Sequence, residues 1–250
     1  MMNPSFLSDQ CKEIILGSLL GDGSLKINKP YKNARFSFRH SVQQQEYFFW
    51  KSSQLKEISG EAYWWQQEKN GLGGRMLRYQ SRASESLTAL YRQTHEKNRL
   101  VIRRRWLNQL GPQSLAIWWL DDGSLIVNTR RGVLCTDPFP YEEQKLLARY
   151  LLVTWGVRVS IGKIIRMHDG AIREYYRLWI RSSEELKKFL RIILPYMRVP
   201  SMLPKVLLLY RDSQLQQRWI SEVSNATGFS EKLIESYVIR KKAGWKAFRK

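Results

Sequence analysis

Apolar and polar positions alternate along this chain in two rhythms, and the same order of rhythms is run through twice. The apolar run from Ile14 to Leu20 predicts a buried helix. Leu25 and Ile27 then alternate with Lys26 and Asn28, which predicts a strand. Ala34, Phe36 and Phe38 alternate with Arg35, Ser37 and Arg39, which predicts a second strand across the turn Lys29–Asn33. A helix is expected over 43–58, a hairpin of strands over 63–69 and 75–82 around Asn70-Gly71-Leu72-Gly73-Gly74, and a helix over 84–95. The second pass repeats this order: an apolar run from Leu115, short strands over 125–129 and 133–136, a helix over 141–155, long strands over 157–167 and 172–181, and a helix over 183–194 with Ser183 as N-cap. Each half thus reads as helix, two strands, helix, two strands, helix, an α+β arrangement of antiparallel hairpins with helices on one side.

The repeat is visible in the residues themselves. Asp22-Gly23-Ser24-Leu25 closes the first apolar run and Asp122-Gly123-Ser124-Leu125 the second. Duplicated halves are expected, because solenoid repeats recur at about 20–50 residues. The chain is expected to divide into a first repeat over 1–105, a second over 106–212 and a helical, basic extension over 213–250. In that extension Trp219–Ser224 and Ser230–Arg240 predict two helices around Asn225-Ala226-Thr227-Gly228. They serve either as an added DNA-contacting piece or as a cap that packs Trp219 and Trp245 onto the core.

Charge changes the picture. Lys and Arg total 42 against 22 acids, a net charge of +20. A chain so basic attracts polyanions, nucleic acid foremost. The bases fall on one side of the predicted strands, since residues two apart on a strand share a face. Arg35, Ser37 and Arg39 make one row, and Arg78, Gln80 and Arg82 a second. In the other half the rows are Arg158, Ser160 and Arg166, then Arg173, Tyr175, Arg177 and Arg181; Lys26 and Asn28 in the first half and Arg130 in the second are further DNA-binding candidates. These residue types read base edges in a DNA major groove. Cys11 and Cys135 form no Cys-x-x-Cys and the three histidines no ligand pair, so neither zinc nor a disulfide framework is expected. No run of 18 uncharged apolar residues occurs, so no membrane partner is expected.

Ile15-Leu16-Gly17-Ser18-Leu19-Leu20-Gly21-Asp22-Gly23 resembles the LAGLIDADG motif position by position. Leu115-Ala116-Ile117-Trp118-Trp119-Leu120-Asp121-Asp122-Gly123 resembles its divergent second copy. The likeness runs over residues 10–212 and is to the single-chain, two-motif LAGLIDADG homing endonucleases. It implies two pseudo-symmetric αββαββα halves, with antiparallel sheets forming a DNA-binding saddle and the motif helices at the interface. It implies a metal-dependent endonuclease that hydrolyses phosphodiester bonds in both strands of a long double-stranded DNA site, acting as a monomer without a protein partner. The alternative on the same scaffold is a group I intron maturase, whose partner is intron RNA. An intracellular setting is expected: a bacterial cytoplasm, or an organelle that encodes its own introns.

The residue types make chemical sense of the motifs. Gly17 and Gly21 lie four apart on one helix face and allow close backbone approach, with the bulkier Ile117 and Asp121 at the matching places. Asp22 and Asp122 fall at helix C-termini, where a carboxylate is unfavourable unless a cation accompanies it. Oxygen ligands favour Mg2+, with Mn2+ as a substitute; Ca2+ is expected to bind without efficient cleavage. The resemblance implies catalytic roles for Asp22 and Asp122, and metal positions at Asp22, Asp122, Gly21 and Asp121, with Asp122 preferred over Asp121 because it aligns with Asp22. Leu134-Cys135-Thr136-Asp137-Pro138-Phe139 is similar to a family segment that positions water, which implies that role for Asp137 and, in the first half, for His40. Pro200-Ser201-Met202-Leu203-Pro204-Lys205 is similar to a segment ending in a catalytic lysine, which implies Lys205; Arg99 or Lys97 is the first-half counterpart.

Overall fold

The computed structural model of the chain describes residues 7–68, 74–127 and 129–248. Most of the loop expected at Asn70–Gly74 lies outside the described residues. The elements run α1 (Asp9–Leu19), β1 (Gly23–Lys26), β2 (Arg35–Ser41), α2 (Gln45–Ser53), β3 (Trp64–Gln67), β4 (Met76–Gln80), α3 (Glu85–Thr94), a two-residue ribbon β5 (His95–Glu96) and β6 (Arg99–Leu100), α4 (Arg104–Leu107) and α5 (Pro112–Asp122). The order then repeats as β7 (Gly123–Leu125), β8 (Gly132–Leu134), α6 (Tyr141–Trp155), β9 (Ser160–His168), β10 (Ala171–Ile180) and α7 (Ser183–Ile193). A 3-10 segment follows over Pro200–Lys205, then α8 (Ser213–Thr227) and α9 (Glu231–Gly244).

Each repeat builds a four-stranded antiparallel sheet of the same order, β1-β2-β4-β3 and β7-β8-β10-β9. The chain divides into two compact units, Met1–Asp121 and Asp122–Lys250. The helix α5, which the sequence groups with the second repeat, therefore falls almost wholly in the first unit. Its packing there explains why: a side chain on Gly17 would strike the Ser114 backbone at 2.3 Å, and one on Gly21 the Asp121 Cβ at 2.5 Å. Bare Cα atoms at Gly17 on α1 and at Gly21 just past its end let α5 lie directly against this segment. Gly21 meets Asp121 as the matching positions suggest, whereas Gly17 meets the Ser114 backbone rather than Ile117.

In the first unit the period-two pattern sorts side chains cleanly. Phe36, Phe38 and His40 of β2 and Leu77 and Tyr79 of β4 point inward and are buried. Arg35, Ser37 and Arg39 face out opposite Gln80 and Arg78, with Ser37 paired to Gln80 and Arg39 to Arg78. In the second unit β9 and β10 form a long ribbon closed by Asp169 and Gly170, whose φ values of 51° and 74° are those of a tight hairpin turn. Several expected boundaries shift. The helix expected over 43–58 is α2 flanked by 3-10 turns at Val42–Gln44 and Lys56–Ile58. The strands expected over 125–129 and 133–136 are three residues each. The N-cap of α7 is Ser182, whose hydroxyl accepts from the Glu184 and Glu185 amides, not Ser183. Asn28 and Arg158 lie just beyond β1 and β9.

The extension is a cap within the second unit. Trp219 and Trp245 are buried. Trp219 Nε1 donates to the Val206 carbonyl at 3.2 Å, and Lys241 Nζ donates to the carbonyls of Pro204 and Leu207 at 2.6 and 2.8 Å. These side chains satisfy backbone acceptors in a segment too irregular to satisfy them itself. Among the described residues no helix is long and apolar enough to cross a membrane.

Candidate functional site

Strand register fixes which positions of the two repeats correspond. Gly23 pairs with Phe38 in the first unit, and Gly123 with Leu134 in the second. Asp22 and Asp122 therefore hold matching places, each the last residue before the first strand. The same register matches Arg78 with Arg177, but it matches His40 with Thr136 and Ser41 with Asp137. The correspondence of His40 and Asp137 suggested by the sequence is thus off by one, and in a strand one step changes the face. His40 points into the interior and is buried. Asp137 lies on the outer side, with Arg177.

In the first unit α1 ends at Leu19 and delivers Asp22 to the edge of the sheet's outer face. The Asp22 side chain is 38% exposed, and it closes one end of an open depression of about 440 Å3. The other walls include Ser24, Lys26, Ser37, Arg39, Trp65, Arg78 and Gln80. Arg35 leans on the Tyr31 ring and donates to Gln80 at 3.3 Å; the Nε atoms of Arg35 and Arg78 are buried without a hydrogen-bond partner. Arg82 has left the row, with its guanidinium on the Glu57 carbonyl. Trp65 is a member that charge counting missed; its register position opposite Arg78 is the signal that places it on this face.

Behind Asp22 lies a buried polar cluster. The His40 ring stands between two carboxylates, with Nδ1 3.4 Å from Asp22 and Nε2 3.8 Å from Asp121. Asp121 Oδ2 accepts the Asp22 amide at 3.3 Å, and Asp121 Oδ1 accepts the Tyr47 hydroxyl at 2.8 Å. Lys51 Nζ reaches both Asp121 oxygens, at 2.7 and 2.9 Å. The Lys51 and Asp121 side chains are both fully buried. Burial, and then the Asp121 charge, push the Tyr47 hydroxyl well above its ordinary pKa, so it stays a donor. Sequence reading missed Lys51 and Tyr47, since a lysine on a helix ordinarily reads as a solvated charge.

One oxygen of Asp22, one nitrogen of His40 and one oxygen of Asp121 lie within 4.8 Å of one another, a spacing a divalent ion can bridge. The donor chemistry suits the position nearest Asp22. That carboxylate is exposed amid bases, and the His40 ring turns its Nδ1 toward it at 3.4 Å. Asp121, in contrast, already holds an ammonium on both oxygens.

In the second unit Asp122, Asp137, Arg177 and Lys205 gather around Cys135. The Cys135 amide donates to the Asp122 carbonyl at 3.0 Å, and the four charges all act on its thiol, which burial above all pushes upward. Asp137 is held by Arg177 through two hydrogen bonds and by Arg166 Nη1 at 3.2 Å. Arg181 donates to Ser160 at 2.8 Å. Tyr175 lies beneath the Arg166 guanidinium and Arg173 pairs with Arg166 across the ribbon, both on the outer face. Arg130 departs from the expected row: its guanidinium stacks on Tyr210 and reaches the Leu209 carbonyl.

Comparison with known proteins bears on this geometry. A family model described as the LAGLIDADG DNA endonuclease family matches residues 12–189. A RecA protein of Mycobacterium gastri is 31% identical over 222 residues, which are 83% of this chain and 49% of that protein. The chain thus spans about half the length of the RecA relatives it matches. The DNA endonuclease I-ChuI of Chlamydomonas applanata is 24% identical over 212 residues, 76% of this chain and 92% of that one. Among solved structures, the homing endonuclease I-WcaI bound to its DNA recognition sequence has the same fold, with a TM-score of 0.68 and 22% identity over 82% of this chain and 88% of that one.

Proposed function

The chain belongs to the LAGLIDADG DNA endonuclease family, and from that footing we propose that it is a homing endonuclease: a site-specific, metal-dependent enzyme that hydrolyses one phosphodiester in each strand of a long DNA site. One observation carries the reading. An exposed carboxylate, Asp22, lines a depression whose other walls are the bases Lys26, Arg39 and Arg78, polar groups and three aromatic rings. A carboxylate repels a phosphate, so one set close to the DNA backbone is put to use when a cation joins the two.

The outer face of each sheet binds the duplex. Lys26, Arg35, Arg39 and Arg78 in the first unit, and Arg166, Arg173 and Arg181 in the second, contact phosphates and base edges, with Ser37, Gln80 and Tyr175 as neutral readers. Asp22, backed by His40, holds the ion for one strand, and Asp122 holds the ion for the other. Mg2+ is the proposed ion; bound, it supplies Lewis-acid activation of water and charge stabilisation at the leaving oxygen. Lys205, whose charge like that of Asp122 reaches Cys135, serves as the basic group for the second-half phosphate, and Asp137, fixed by Arg177, orients water there. Two motifs in one chain supply both half-sites, so the protein acts as a monomer.

The test is selection of cleaved sites from a randomised duplex library in Mg2+, repeated in Ca2+. Double-strand breaks at one recurring sequence in Mg2+ alone are expected. RNA binding without cleavage of any DNA would replace this reading with the maturase.

A further inference from the structure

We propose that Lys51 is a positioning residue of the Asp22 half-site, acting through Asp121. The inference rests on the endonuclease reading and specifies how one of its two half-sites is held.

Lys51 is fully buried on α2, so it cannot be the basic group that meets a phosphate. An ordinary stabilising pair is a poor account of it as well. Replacing a buried ion pair by apolar residues of like volume often costs nothing, because burying both charges offsets their attraction. What sets this pair apart is where its carboxylate leads. Asp121 fills the space that Gly21 leaves by having no side chain, accepts the backbone amide of Asp22, and stands behind the His40 ring. Three donors on one carboxylate, from Lys51, Tyr47 and the Asp22 amide, leave it one orientation. Lys51 therefore fixes the backbone from which Asp22 projects and the wall against which His40 rests. It also keeps Asp121 occupied, so that an arriving cation meets Asp22 on its open side.

Among the described residues the second unit shows no copy of this device. Gly21, not an acid, matches Asp121, and Thr136 matches His40, its hydroxyl on Gln144. The half-sites therefore depend on different supports, and that difference is what an experiment can read.

The experiment compares Lys51→Met with Asp22→Asn and Asp122→Asn on a supercoiled plasmid carrying the selected site, in Mg2+, with each strand labelled. Affinity for the same site is measured in Ca2+ and in EDTA, and thermal unfolding is followed alongside. Lys51→Met should accumulate nicked circle cut on the same strand that Asp22→Asn leaves cut, its other strand slowed about tenfold or more. It should also lose part of the affinity gained on adding Ca2+ while EDTA affinity holds. The double variant Lys51→Met with Asp121→Asn removes both buried charges, which keeps the fold accessible, and should show the same strand bias. Equal slowing of both strands in a folded variant, or no slowing, overturns the proposal. A wild-type protein that cuts no site in the library overturns the endonuclease reading, and this one with it.

Discussion

Arg177 grips Asp137 with both arms of its guanidinium: Nε lies 2.5 Å from one carboxylate oxygen and Nη2 lies 2.8 Å from the other. The sequence singled out both residues, Arg177 in an outward row of the second ribbon and Asp137 as a water-positioning group after β8, but not their pairing. The row of arginines suggested that Arg177 reads a base. Two of its donors hold a neighbouring carboxylate, and Arg177 supports Asp137.

The pairing has a pH signature. The Arg177 hydrogen bond holds the Asp137 carboxyl below the usual aspartate range, against burial, which acts the other way. A carboxyl lowered in the folded state contributes stability that is fully present above the ordinary aspartate pKa. That contribution is lost as pH falls through the lower folded value. Arg177→Met should therefore destabilise the protein near neutrality by about 1–3 kcal/mol, as for a charged hydrogen bond. The gap between variant and wild type should close at acid pH, below the aspartate range. Urea melts at a series of pH values read this directly; a gap that widens with acid contradicts it.

Asp22→Asn keeps the shape of the side chain and removes its charge. Cleavage should fall severely while DNA affinity holds or improves, because a carboxylate no longer faces phosphate. Asp122→Asn should do the same for the other strand. Steady-state cleavage and filter binding on the selected site decide this. Near wild-type cutting of both strands by both variants removes these residues from the chemistry.

DNA affinity should fall steeply with salt, with a slope of about 0.9 in the logarithms for each phosphate contact. Arg78→Ala should cost about 1–3 kcal/mol if the guanidinium is bidentate on a base, and should relax the preference at that one position. Trp65→Ala is expected to weaken binding without changing the salt slope, since an indole carries no charge. Titrations at three or more salt concentrations separate the two behaviours.

Lys51→Met leaves the Asp121 carboxylate buried beside Tyr47 with its cation gone. Breaking a buried pair in this way costs about 3–5 kcal/mol, whereas removing both charges together costs far less. Denaturant unfolding of the single variant, and of the double variant with Asp121→Asn, should show this non-additivity. Additive losses would mean that the two residues do not act as a unit.

Much of the fold could be read from periodicity, because each sheet has one buried face and one solvated face. Phe36 and Phe38 against Arg35, Ser37 and Arg39 left little choice of register. The matching places of Asp22 and Asp122 could be read because duplication put them in the same frame. The buried cluster was hidden for a physical reason. Its members Tyr47, Lys51 and Asp121 sit on two helices far apart in sequence, and no local pattern announces that a lysine on one will meet an acid on the other. For the outward rows, parity along a strand assigns a face but cannot say which arginines find partners there, as Arg82 and Arg177 do.

The Lys51–Asp121 pair also bears on modular exchange between related enzymes. The boundary between the compact units runs between two adjacent acids: Asp121 is locked into the first by Lys51 and Tyr47, and Asp122 opens the second. A chimera joined in the loop before Pro112 would import a foreign α5 while keeping Lys51. Unless that helix carries an acid at the residue before its motif aspartate, it would strand a buried ammonium. A junction after Asp121, or a graft that moves α2 and α5 together, leaves the pair intact.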